Sequence, residues 1–171
     1  MVSKLLLAVQ ENAVKAFKTG DPCAEKLKVA YYDVRSGLGF NKEPSLYGAF
    51  PFDPYSHTPF GRGAKQPGMT GQVKEEILTR FGELGVFIED GKVSFSPVIL
   101  KDDEIKADGT LSFTLCGTPI TYSFSKKSAA NIKDAQITVN GNKRAGNSLT
   151  EEETKKLFER GGKITSIEVS Y

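Results

Sequence analysis

The hydrophobic period of this chain changes at Val86, and that change constrains the fold more than any other feature. Ahead of it, apolar residues recur at three- and four-residue steps, the mark of helices. Beyond it they alternate, the mark of strands. In residues 3–18, Leu6, Val9, Ala13 and Phe17 form a helical stripe that Gly20-Asp21-Pro22 stops. Residues 24–34 read as a second short helix, with Tyr31-Tyr32 leaving a strand as the rival reading. A third helix is expected from Thr70 or Gly71 to about Phe81, with Val73, Ile77, Phe81 and Leu84 as its stripe. Glu75 and Glu76 in its first turns and Arg80 near its end suit the helix dipole. Gly82 and Gly85 are expected to close it.

After Val86 the turn chemistry takes over. Asp90-Gly91 separates two short alternating runs, 86–89 and 92–95, and predicts a hairpin. Leu111, Phe113 and Leu115 alternate with polar residues, as do Ile120, Tyr122 and Phe124 beyond Gly117. A run over 136–139 leads into Asn140-Gly141, a second tight turn. A helix is expected to start near Ser148 or Thr150, where Ser148…Glu151 and Thr150…Glu153 both fit a capping box. Leu157 and Phe158 are its expected buried residues and Gly161-Gly162 its end. Ile164, Ile167 and Val169 suggest a last strand. The expected fold class is α+β: an antiparallel, jelly-roll-like β-sandwich preceded by a few helices and a long ordered loop. The expected division is a helical segment with its loop over residues 1–85, and a sandwich with one inserted helix over 86–171.

The loop, residues 37–72, is the most unusual passage. It holds seven glycines (Gly37, Gly39, Gly48, Gly61, Gly63, Gly68, Gly71) and five prolines (Pro44, Pro51, Pro54, Pro59, Pro67). Phe40, Tyr47, Phe50, Phe52, Tyr55, Phe60 and the sole histidine, His57, lie among them. Loops beyond about 12–15 residues in compact domains are functional or disordered, and disordered segments are poor in aromatics. Apolar ring faces beside polar tips suit a sugar-like ligand.

Composition excludes several classes. A net charge of +2 over 171 residues gives no basic footprint for nucleic acid. No apolar run approaches the ~20 residues of a membrane span. The N-terminal Leu5-Leu6-Leu7 run meets Gln10, Glu11 and Asn12 too soon for a signal-peptide core. The expected location is therefore cytoplasmic unless a signal lies outside the chain. Cys23 and Cys116 are far apart, with no Cys-x-x-Cys, and read as unrelated thiols. With one histidine and no clustered cysteines, neither a metal nor a cofactor is expected. Gly61-x-Gly63 continues to Gln66 rather than a third glycine and follows a loop, so it is no dinucleotide fingerprint. His57 has no Gly-x-Ser-x-Gly partner for a hydrolase triad.

Pro67–Leu100, read as PGMTGQVKEEILTRFGELGVFIEDGKVSFSPVIL, resembles a junction found in carbohydrate-active enzymes. In these glycoside hydrolases and disaccharide phosphorylases an (α/α)6 barrel leads into a C-terminal β-sandwich. A Gly-x-Thr-Gly turn opens the last barrel helix, here Gly68-Met69-Thr70-Gly71. A Leu-Gly-Val exit follows, here Leu84-Gly85-Val86, and then a strand of the type Asp-Gly-Lys-Val-Ser-Phe-x-Pro, here Asp90 to Pro97. The tail from Ile137 to Tyr171 is similar to the closing strand, helix and strand of such sandwiches. Twelve barrel helices at a mean of ~11 residues need ~130 helical residues, and about three helices precede the sheet here. The resemblance therefore implies the C-terminal portion of a larger enzyme, inactive alone. The alternative is a non-catalytic module that binds carbohydrate or a protein.

The candidate site follows from that resemblance and from the loop. Asp53 in FDPYSHTP is the candidate acid or base, and inverting cleavage needs two carboxyls roughly 6.5–9.5 Å apart. The competing reading of Asp53-Pro54 and His57…Pro59 is turn chemistry. Tyr55, His57, Arg62 and Gln66 are the expected saccharide contacts. Thr70, at a helix start, is either an anion or hydroxyl contact or a plain N-cap. In the phosphorylases a Thr-Gly-Ser version of this turn helps hold phosphate. Gln72 replaces that serine here, which moves the expectation away from phosphate and toward a hydrolase or neither activity. The expected partners are an oligo- or polysaccharide and either a second copy of the chain or the missing barrel.

Overall fold

A computed structural model describes residues 2–37, 73–125 and 134–171. They belong to two compact units, residues 1–82 and 83–171.

The first unit is helical. Helix α1 spans Val2–Thr19 and α2 spans Ala24–Ser36. Gly20 ends α1 with φ +70°, a left-handed conformation that glycine adopts without strain. The Asp21 carboxylate then accepts from the Cys23 N–H at 2.7 Å, closing the turn that starts α2. Helix wins over strand at Tyr31-Tyr32: Tyr31 is fully buried, and its ring meets Tyr32 edge to face at 4.9 Å. On α1 the buried residues are Leu6, Gln10, Ala13, Val14 and Ala16. Val9 and Phe17, expected in the stripe, are only half-buried.

Helix α3 spans Val73–Leu84. It continues through Gly82, three residues past its expected end, and Gly85 closes it with φ +68°. Of its expected apolar stripe, Leu84 is buried and Phe81 half-buried, but Ile77 is not. Ile77 and Leu78 are about half exposed, whereas Glu75 and Thr79 are buried.

The second unit carries the strands. Strands β1 (Val86–Glu89) and β2 (Lys92–Phe95) form an antiparallel hairpin around Asp90 and Gly91, both at positive φ. The remaining strands are β3 (Thr110–Leu115), β4 (Thr118–Ser123), β5 (Gln136–Val139), β6 (Asn142–Ala145) and β7 (Ile167–Ser170). They form a sheet of order β3-β4-β7-β5-β6. Every neighbouring pair is antiparallel except β4–β7, which is parallel. The fold class is α+β, with a sandwich-like arrangement of hairpin and sheet.

The register explains the core. Phe113, Ile120, Ile167 and Val139 form one cross-strand row, and Leu111, Tyr122, Val169 and Ile137 form the next. All but the half-buried Phe113 are buried. The opposite face carries Ser112, Thr121, Glu168 and Thr138, so a one-residue slip would exchange core for surface. Each fully buried side chain of this size contributes ~1.5–3 kcal/mol. Phe95 of the hairpin meets the Tyr122 ring edge to face at 6.1 Å.

Helix α4, Glu151–Phe158, starts with the capping box of Thr150 and Glu153. Thr154 and Leu157 are its buried residues, while Phe158 is exposed, because burial here follows a three-residue step. Arg144 bridges β6 to this helix start with a pair of hydrogen bonds to Glu153, at 2.6 and 3.0 Å. Burial works against charge on Glu153, but the Arg144 guanidinium and the Thr150 N–H outweigh it and lower the carboxyl's pKa. Asn147 and Leu149 add to the open side of β2, where Phe95 N–H donates to Asn147 O and Leu149 N–H to Val93 O. Cys23 and Cys116 are free thiols. Among the described residues, no helix is long and apolar enough to cross a membrane.

Candidate functional site

The most unusual chemistry among the described residues lies in the helical unit, where polar side chains take positions that packing normally gives to apolar ones. Gln10 falls on the buried stripe of α1, one turn beyond Leu6, and is 3% exposed. Its Nε2 donates to the Thr79 carbonyl oxygen at 2.6 Å, within a helix that already uses that carbonyl's region for its own ladder. Gly82 makes the approach feasible: a Cβ at that position would collide with the Gln10 carboxamide. Thr79 is fully buried and returns its hydroxyl to the Glu76 carbonyl at 2.9 Å.

One turn before Thr79 on the same helix, Glu75 is 4% exposed. Its Oε2 is buried and has no hydrogen-bond partner among the described residues. The neighbouring Glu76 differs: its Oε1 lies 3.5 Å from Arg35 Nη1 of α2. Buried polar atoms are satisfied in the great majority of cases, and an exception calls for an explanation in function or in a group that arrives from outside. Gln10 and Thr79 are thus satisfied within the helical unit, and Glu75 is the buried side chain that carries an unpartnered oxygen among the described residues.

Among the described residues of the strand-rich unit, two surface depressions stand out. One, of about 250 Å³, is lined by Cys116, Thr118, Lys156 and Arg160 among others. Its polar groups are already occupied or exposed: Thr118 Oγ1 donates to the Ile164 carbonyl at 3.1 Å, and Lys156 pairs with Glu152 at 2.6 Å. That contact raises the Lys156 pKa and lowers that of Glu152. The other lies between 134–136 and 145–147, where Asn147 Nδ2 already donates to the Phe95 carbonyl at 2.6 Å. Among the described residues, no group of three or more His, Cys, Asp or Glu could hold a metal ion.

The sequence-predicted site residues Asp53, Tyr55, His57, Arg62, Gln66 and Thr70 all lie outside the described residues. Gln10 and Glu75 were not among the predicted site residues. The available signal for Gln10 was its place in step with Leu6 and Ala13, an interruption of an apolar stripe. Glu75 reads in sequence as an ordinary acidic first-turn residue, and only its burial distinguishes it. Comparison with models of known protein families finds no match, and comparison with curated proteins finds none either.

Proposed function

We propose that this chain is the C-terminal portion of a glycoside hydrolase-like carbohydrate-active protein, with a saccharide as ligand and no turnover of its own. The observation that supports this most is the junction from α3 to β2. The resemblance implies a helix, a Leu-Gly-Val exit and a strand that ends in proline. Here α3 ends at Leu84, Gly85 turns left-handed, and its carbonyl accepts from the Ser96 N–H at 2.7 Å, just before Pro97. Exposed apolar side chains on the helices, Leu5, Val29, Ile77 and Leu78, fit a helical unit made to be covered by more protein. That cover is the rest of a barrel or a second copy of the chain. In this reading Tyr55, His57, Arg62, Gln66 and Thr70 contact the sugar, and Asp53 is the candidate catalytic carboxylate of the whole enzyme.

Calorimetric titration of the chain with cello-, xylo- and malto-oligosaccharides tests this. We expect weak binding, because one loop buries little area and must be ordered. Tyr55→Ala and His57→Ala should each weaken it by on the order of 1 kcal/mol. Aryl glycosides should not be hydrolysed by the chain alone, since inverting cleavage needs an acid and a base on rigid supports. Turnover that Asp53→Asn removes would overturn the inactive reading. Binding with both substitutions tolerated would move the site elsewhere. Absence of saccharide binding would favour the other reading, a module that binds protein.

A further inference from the structure

The five-stranded sheet ends in two edges that are built differently. At one edge β6 spans Asn142–Ala145 and carries Lys143 and Arg144. Cations on an edge strand discourage a further strand from pairing there. The other edge, β3, is longer and has no charge, no proline and no bulge in its register with β4. Phe124 N–H donates to the Gly109 carbonyl, and bonded positions alternate along an antiparallel pair. Thr110, Ser112 and Thr114 therefore turn their backbone groups away from β4. Thr110 is satisfied locally, because its N–H donates to the Asp108 carboxylate and its carbonyl accepts from the Lys106 N–H. The outward N–H and C=O groups of Ser112 and Thr114 have no partner among the described residues. Phe113 between them is only half-buried, although its row-mates Ile120, Ile167 and Val139 are buried.

We infer that β3 is a pairing surface for a second copy of this chain, whose own β3 adds to it antiparallel about a two-fold axis at Phe113. The strand is self-complementary in this register. Phe113 then faces Phe113 and Leu111 faces Leu115 on the core side of the sheet, while Ser112 faces Thr114 on the polar side. Ser112 and Thr114 become the positions that exchange N–H and C=O bonds. Phe113 falls at a non-bonded pair, where facing side chains come closest and each ring covers the other's exposed edge. Charge agrees with the same register. It carries the exposed Asp108, just ahead of β3, to the β3–β4 turn of the second copy. There Arg160 lines a depression with Cys116 and Gly117, and it is exposed and makes no ion pair among the described residues. Centred on either of its cations, β6 would instead set like charges opposite each other. One strand pair is small beside the about 1,200–2,000 Å² of stable complexes, so the association is weak and concentration-dependent.

Sedimentation velocity of the full chain between micromolar and millimolar concentration should show monomer passing into dimer. Over the same range, amide exchange followed by NMR should slow at Ser112 and Thr114 by about tenfold. Thr114→Pro removes one pairing N–H, and proline suits an edge position whose N–H faces outward. It should keep the fold, read by circular dichroism, and weaken dimerisation by about tenfold or more. Arg160→Glu should weaken it by about threefold, and no effect would overturn the register centred on Phe113. A monomer at every concentration would overturn the inference. A dimer that folded Thr114→Pro leaves untouched would also overturn it, by placing the contact on another surface. If Thr114→Pro does not fold, the unaltered chain decides: amide exchange at Ser112 and Thr114 that is independent of concentration would overturn the pairing.

Discussion

The phenolic oxygen of Tyr122, in the second strand of the five-stranded sheet, donates a 2.7 Å hydrogen bond to the carbonyl of Leu84, the last residue of α3. The ring is fully buried and meets Phe95, Phe113, Phe124 and Tyr171 edge to face. One side chain therefore anchors the end of a helix and fills the centre of an aromatic cluster. Tyr122→Phe keeps the ring and strands a buried carbonyl. It should lower unfolding free energy by about 1–3 kcal/mol, measured by urea denaturation. An unchanged midpoint would mean that water replaces the phenol.

Alkaline pH should act on the same cluster. Burial raises the pKa of Tyr122 and of Tyr171, with the Tyr171 phenol adding to the shift at Tyr122. The folded chain holds both protons more tightly than the unfolded chain. The associated stability is complete below the ordinary tyrosine value of about 10 and declines as pH rises above it. The expected slope is up to about 1.4 kcal/mol per pH unit for each phenol. Denaturation midpoints between pH 8 and pH 11 check this, and Tyr122→Phe should make the slope shallower.

Gly85 should tolerate no side chain. Its φ of +68° disfavours any L residue, and a Cβ would collide with the Ser96 carbonyl and the Pro97 nitrogen, which are backbone atoms that cannot swing aside. Gly85→Ala should cost about 3 kcal/mol or more, read as loss of folded protein or a large drop in melting temperature. Gly141→Ala serves as the comparison: its φ is +82° but nothing lies within 4 Å of the added methyl group. It should cost only about 1–2 kcal/mol.

Local turn chemistry was legible in the sequence; partnership between distant strands was not. Asp90-Gly91, Asn140-Gly141 and the Thr150/Glu153 capping box use short-range rules, and each appears where those rules put it. Alternation in β3 and β4 gave their buried faces correctly but says nothing about neighbours. It could not reveal that β7 would lie parallel to β4 and antiparallel to β5. Helical periodicity held for Leu84 at the end of α3 but misled earlier in it, where Ile77 is exposed and Glu75 and Thr79 are buried, because polarity was read as exposure. The site expected from loop composition, Asp53 to Thr70, lies outside the described residues. Glu75 and Gln10 stand out through burial and hydrogen bonding, which depend on residues 69 positions apart meeting in space.

Asn140 fastens the β5–β6 turn to the segment that precedes β7. Its Nδ2 donates to the Lys163 carbonyl at 2.7 Å, and its Oδ1 accepts from the Thr165 N–H at 2.8 Å and the Thr165 hydroxyl at 3.0 Å. Its φ of +49° adds a backbone role that Gly could fill and Ala could not. Asn140→Gly isolates the lost side-chain bonds, and its expected cost is about 1 kcal/mol or more, discounted for exposure. Asn140→Ala should cost about 1–2 kcal/mol beyond that. Equal midpoints for the two variants would argue against the backbone contribution.

The position of β7 also sets an order of assembly during synthesis. Residues 167–170 are translated after the other four strands of this sheet, yet they occupy its middle, between β4 and β5. Until they leave the ribosome, β3–β4 and β5–β6 exist only as separate hairpins, and two-stranded hairpins are marginal in water. The nascent chain therefore exposes Ile120, Tyr122, Ile137 and Val139 together with two unpaired strand edges, the conditions under which chaperones bind and chains aggregate. A stop codon before Ile167 would leave the sheet without the strand that joins its two halves.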